Sequence, residues 1–84
     1  MRIITQWGKT VENVEGITLY LSRHKRLNGE IDIKWVIADS TTQEKLGAYK
    51  ELDKAQKTMA IMESRVRALG KDCEYEMPKE DKLP

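Results

Sequence analysis

The sequence predicts an α+β domain: an antiparallel meander of four or five strands with one long C-terminal amphipathic helix packed on one face. Three observations predict it. Ile17, Leu19 and Leu21 alternate with Thr18 and Tyr20, and Ile31, Ile33, Trp35 and Ile37 alternate with Asp32, Lys34, Val36 and Ala38; both runs have the period of a strand with one buried face. Asn28-Gly29 stands between the two runs and is a strong reversal signal, so they form an antiparallel hairpin. From Leu52 the period changes: Leu52, Ala55, Met59, Met62, Val66 and Leu69 advance by three and four residues, which sets them on one stripe of a helix.

In chain order, Ile3 and Ile4 open a short strand that Trp7-Gly8-Lys9 stops and that resumes through Val11 and Val14 after a turn. Gly16 precedes the first strand of the hairpin, and Ser22 to Gly29 form its tip. Asp39 to Glu44 are polar and turn-prone. Leu46-Gly47-Ala48-Tyr49 reads as a short strand or as a first helical turn, and Gly47 favours the strand. The helix carries Lys54, Lys57, Glu63, Arg65 and Arg67 opposite its apolar stripe and ends at Gly70, a glycine in the C′ position. Cys73, Tyr75 and Met77 alternate with Asp72, Glu74 and Glu76 before Pro78, as a last strand or an extended segment. Residues 1–78 are expected to be one domain and 79–84 a disordered tail.

Composition bounds the function. Eighty-four residues make one domain that buries only about 60–65% of its unfolded surface. With 39% hydrophobic residues and no Phe, the core is thin, and a homodimer or higher homo-oligomer is expected to complete it. The near balance of fifteen Lys and Arg against fourteen Asp and Glu, +1 overall, excludes the strongly basic surface of a general nucleic-acid binder. His24 and Cys73 are the only residues of their types, too few for a disulfide framework or a closed zinc site. The sequence contains neither a Walker A loop nor GxGxxG, so no cofactor or metal is expected. The opening residues lack a signal-peptide apolar core and no apolar run is long enough to cross a bilayer; with its lone thiol, the chain is expected in the cytoplasm.

Arg23, Lys25 and Arg26 concentrate three positive charges within four residues of the hairpin. They form a candidate anion site, because guanidinium forks match phosphate oxygens; the alternative is a tip charged for solubility and edge protection. Trp7, beside Gly8, is a candidate for stacking on a base or covering an oligomer seam, against ordinary packing. Arg65 and Arg67 are further candidate phosphate contacts, against solvated surface charge. The Met59 and Met62 stripe is core, or in part a seam with the helix of a second subunit. His24 is read without a nucleophile beside it, so no catalytic residue is expected and the chain is not expected to be an enzyme.

Met1-Arg2-Ile3-Ile4-Thr5-Gln6 followed by Gly8, and Leu46-Gly47-Ala48-Tyr49 with Asp53-Lys54-Ala55 and Met59-Ala60-Ile61-Met62, resemble a diffuse family of small proteins from phages and mobile elements of Gram-positive bacteria. The likeness covers about the first ten residues and positions 46–62; Trp7 replaces the family's usual Asp or Asn. The layout is distantly similar to that of the Thoeris anti-defence sponges. That resemblance implies a non-enzymatic counter-defence protein in the host bacterial cytoplasm that sequesters a small phosphorylated ligand, a cyclic-nucleotide immune signal, at a subunit interface. It carries over no individual binding residue. The alternative is a protein-binding inhibitor of a host enzyme, an anti-CRISPR or polymerase modulator, acting through the sheet edge or helix face. An accessory DNA binder with its basic hairpin in a groove is a third, weaker option.

Overall fold

The computed structural model describes residues 1–82. Its elements are β1 (Arg2–Ile4), β2 (Thr10–Val11), β3 (Ile17–Lys25), β4 (Ile31–Asp39), β5 (Lys45–Tyr49), α1 (Leu52–Leu69), β6 (Glu74–Glu76) and a 3-10 turn at Glu80–Lys82. The α+β class stands. The single meander does not: the strands form two three-stranded sheets, ordered β2-β1-β6 and β3-β4-β5. Only β3-β4-β5 is a meander. β1 pairs antiparallel with β2 and parallel with β6, Ile3 lying opposite Tyr75. Parallel neighbours need a long connection, and α1 lies on the one that returns the chain to β1.

Gln6 ties the two sheets together. Its backbone N–H donates to the Leu46 carbonyl at 3.1 Å. Its side-chain oxygen accepts the Ala48 N–H at 2.7 Å, and its amide nitrogen donates to the Pro78 carbonyl at 2.9 Å. Gln6→Ala removes both side-chain bonds and leaves a β5 amide unpartnered. The expected loss is about 1–3 kcal/mol, read as a lower urea midpoint at unchanged m; an unaltered midpoint would show that the junction adds no stability.

One core joins the sheets to the helix: Ile3, Val14, Ile37, Leu46, Tyr49, Ala55, Met62, Tyr75 and Met77 form a single buried cluster. The helix stripe holds at its centre and fails at its ends. Ala55 and Met62 are fully buried and Met59 is partly so, but Leu52 is 36% and Leu69 65% exposed. Thr58 takes a buried position because its hydroxyl donates to the Lys54 carbonyl at 2.9 Å, which removes the cost of burying it. Gly70 ends α1 with φ 84° and its N–H on the Val66 carbonyl. Cys73 is buried.

The hairpin is longer than the alternation of Ile17 to Leu21 implies. β3 and β4 stay paired from Ile17–Asp39 to Lys25–Ile31, so Arg23, His24 and Lys25 are strand residues and the tip begins at Arg26. Its far half extends beyond the helix, and the molecule reaches 45 Å along its longest axis. The radius of gyration, 13.2 Å, exceeds the roughly 12 Å of a compact chain this long. Ile31 and Ile33 share the face of Trp35 and Ile37 as the alternation requires, but they are 60% and 48% exposed: α1 lies against β4 and β5 and does not reach the arm.

Within residues 79–84, expected as a disordered tail, a 3-10 turn spans Glu80–Lys82; residues 83 and 84 lie outside the described residues. Glu80 accepts the backbone N–H groups of Lys50 and Glu51 at 2.9–3.0 Å, just ahead of α1. Partial burial opposes ionisation of Glu80, but these donors and the nearby Lys54 and Lys50 hold its carboxyl below the usual range. A carboxylate there also favours the positive end of the helix.

Candidate functional site

Period-two alternation sorts the hairpin cations onto opposite faces. Cross-strand pairs place Leu19, Leu21, Arg23 and Lys25 on the face of Ile37 and Tyr49, which α1 covers near the core. Thr18, Tyr20, Ser22 and His24 occupy the outer face with Asp32, Lys34, Val36 and Ala38. Arg26, at the tip, donates from Nε to Asp32 at 2.6 Å; this bond holds the Asp32 carboxyl below the usual carboxylate range and raises the Arg26 guanidinium. The three cations therefore do not converge, and one of them is already committed to a carboxylate.

Trp7 lies at the outer face. Thr5 to Gly8 form a tight turn: the Gly8 N–H donates to the Thr5 carbonyl at 3.0 Å, and Gly8 takes φ 83°, which glycine adopts without strain. The buried Thr5 hydroxyl accepts the N–H groups of Trp7 and Lys9. The backbone is thus pinned while the Trp7 side chain remains 61% exposed.

This tryptophan borders a cleft of about 240 Å³ shared with Ser22, His24, Asp32, Lys34, Val36, Lys45 and Ala48. A β-bulge aims Lys45 there. Ile37 lies opposite Gly47 but Ala38 opposite Lys45, so Leu46 is an extra residue; without it, alternation from Ala48 would turn Lys45 to the inner face. Among the described residues neither Lys34 nor Lys45 makes an ion pair. The cleft thus combines an apolar floor at Val36 and Ala48, an indole on one side and two uncommitted ammonium groups. Such a set suits a flat ring carrying a negative charge.

A larger cleft of about 850 Å³ lies beside Trp7, lined also by Glu76, Pro78, Lys79 and Lys82. Its Glu76 carboxylate opposes an anion, whereas the only acid of the outer-face cleft is held by Arg26. The two helix arginines lie elsewhere. Arg65 sits over the Tyr75 ring, 5.2 Å from its centre, and Arg67 borders a groove with Ile17, Met62, Glu63 and Val66.

Of the sequence-derived candidates, then, Trp7 alone reaches this cleft; Arg23, Lys25, Arg26, Arg65 and Arg67 do not line it. Lys34, Lys45 and His24 were missed, although alternation already assigned Lys34 to the face opposite Ile33 and Trp35. The absence of a nucleophile beside His24 is also corrected: Ser22 lies two residues before it on the same face, and Asp32 lies opposite His24. Among the described residues no hydrogen bond joins these three, and an Asp32 oxygen is occupied by Arg26, so the relay that activates a serine is not assembled. No group of three or more His, Cys, Asp or Glu among the described residues is arranged to hold a metal. No described helix is long and apolar enough to cross a membrane. No family model, curated protein or solved structure matches the chain, so its resemblance to phage proteins rests on the residues quoted above.

Proposed function

We propose that the chain is a non-enzymatic binder that captures a small phosphorylated ligand in the outer-face cleft. The observation that carries this reading is the meeting of the exposed Trp7 with Lys34 and Lys45 over Val36 and Ala48. A base stacks on the indole while its phosphate meets the ammonium groups. The resemblance to phage proteins makes a cyclic-nucleotide immune signal the expected ligand and sequestration in the host cytoplasm the expected role. A second reading, a protein-binding inhibitor of a host enzyme, is favoured by the bare Leu27, Ile31 and Ile33 of the hairpin arm.

The test is thermal unfolding with a cyclic dinucleotide or a cyclic ADP-ribose isomer. At a hundredfold excess over Kd, binding adds about 2.7 kcal/mol, a shift of about 10–20 °C for a domain this small, and denaturation should return the ligand intact. Cleaved ligand would make the chain an enzyme. No shift with millimolar nucleotide, together with co-purification of a host protein, would favour the inhibitor.

A further inference from the structure

We infer that a second copy of this chain pairs with the free edge of β3 in an antiparallel, two-fold arrangement centred on Leu21. β3 is an outer strand of its sheet, nine residues long. The flanking bonds Arg26–Glu30 and Gly16–Ser40 put the even-numbered residues in the hydrogen-bonded positions of the β3–β4 ladder. Ile17, Leu19, Leu21, Arg23 and Lys25 consequently direct their N–H and C=O groups to the open edge. An uninterrupted edge of this length, with neither proline nor bulge, is a ready template for another strand.

Charge selects both the occupant and the offset. Arg23 and Lys25 occupy one end of β3 and have no ion-pair partner among the described residues; neither do Glu15 and Glu63. Both acids border the groove at the other end of β3, with Ile17, Val66 and Arg67. Pairing about Leu21 uses all nine residues: Leu21 meets its own copy, Leu19 meets the partner's Arg23, and Ile17 meets the partner's Lys25. The basic end of each strand then reaches the Glu15 and Glu63 side of the other's groove, which Arg67 also borders. Centring on Arg23 would oppose like charges, which destabilises adjacent strands. Alternatively, these cations serve only to keep the edge single.

The same arrangement extends the outer-face cleft. Ser22 lies opposite the partner's Tyr20 and His24 opposite the partner's Thr18, so an aromatic ring of the second copy joins the wall formed by β3. The assembly does not rest on what the cleft binds, and its test needs no ligand.

Cysteine cross-linking reads the offset. Cys73 is buried, so an introduced thiol is the accessible one. At the two-fold axis the Cα atoms stand about 5.5 Å apart, within disulfide reach, whereas Ile17 lies eight strand residues from its own copy, about 26 Å. Light scattering should give twice 9.7 kDa at tens of micromolar. Leu21→Cys should form a linked dimer under mild oxidation and Ile17→Cys should not. Reversal of the exposed charges, Arg23→Glu with Lys25→Glu, should weaken the dimer at least tenfold, and adding Glu15→Lys with Glu63→Lys should restore it. A 9.7 kDa species, equal cross-linking at both positions, or a charge swap without rescue would each overturn the arrangement.

Discussion

Tyr49→Ala is expected to remove a large share of the chain's stability, read as a much lower urea midpoint. Tyr49 is the largest of the fully buried side chains and joins both sheets to α1 in one cluster. Truncating a buried aromatic costs about 3–5 kcal/mol, against a total stability of roughly 4–13 kcal/mol for a domain of this length. Tyr49→Phe separates ring from hydroxyl. The hydroxyl donates to the Pro78 carbonyl at 2.7 Å, but Gln6 also donates to that carbonyl, so phenylalanine strands no acceptor and costs about 1 kcal/mol.

The hydroxyl also sets a pH dependence. Burial pushes Tyr49 above its ordinary value of 10.0, against partial compensation by Thr58 and Gln6. Above about pH 10 the unfolded chain loses this proton while the folded chain keeps it, so stability falls as pH rises. Burial raises Tyr75 in the same direction. Urea midpoints between about pH 8 and 11 should therefore decline for the native sequence and decline less for Tyr49→Phe, with Tyr75 retaining its part. Identical slopes would show that Tyr49 is not held in its protonated form by burial.

Strand and helix periods were legible because each is a local consequence of burying one face. That is why β3, β4 and the body of α1 were readable from spacing, whereas β5 was favoured over a helical turn only through Gly47 and the end of α1 through Gly70. The parallel pairing of β1 with β6 was not: it depends on where an 18-residue helix returns the chain, and no local pattern encodes that. The outer-face cleft was less legible for a related reason. Arg23, Lys25 and Arg26 are close in sequence, yet a strand sends neighbours to opposite faces. Extending the alternation of Ile17 to Leu21 by four residues would have removed Arg23 and Lys25 from the face of His24. Lys45 was less accessible to such reasoning, because its direction depends on a bulge at Leu46 that the opposing strand defines. Glu80 was lost in a tail that composition made look disordered, although its carboxylate binds two backbone amides before α1.

Binding of a cyclic dinucleotide or cyclic ADP-ribose isomer should fall most sharply on changes to Trp7, Lys34 and Lys45. Trp7→Ala removes the indole bordering the cleft; stacking on such a ring is worth about 1–3 kcal/mol per base, or about five- to a hundred-and-fiftyfold in affinity. Lys34→Ala and Lys45→Ala each remove a charge-assisted contact. Because both ammonium groups are solvated before binding, about tenfold each is expected, toward the lower end of the usual range. The three effects differ in kind. The lysine variants should flatten the dependence of affinity on salt, while Trp7→Ala lowers affinity at every salt concentration. Folding should survive all three, since the exposed Trp7 is held through its backbone by Thr5 and the lysines are unpaired among the described residues. Isothermal titration at two ionic strengths reads each effect. Arg65→Ala with Arg67→Ala is the control, because neither arginine borders the cleft: equal loss there, with Lys34→Ala and Lys45→Ala silent, would move the ligand to the helix and remove the outer-face cleft from the function.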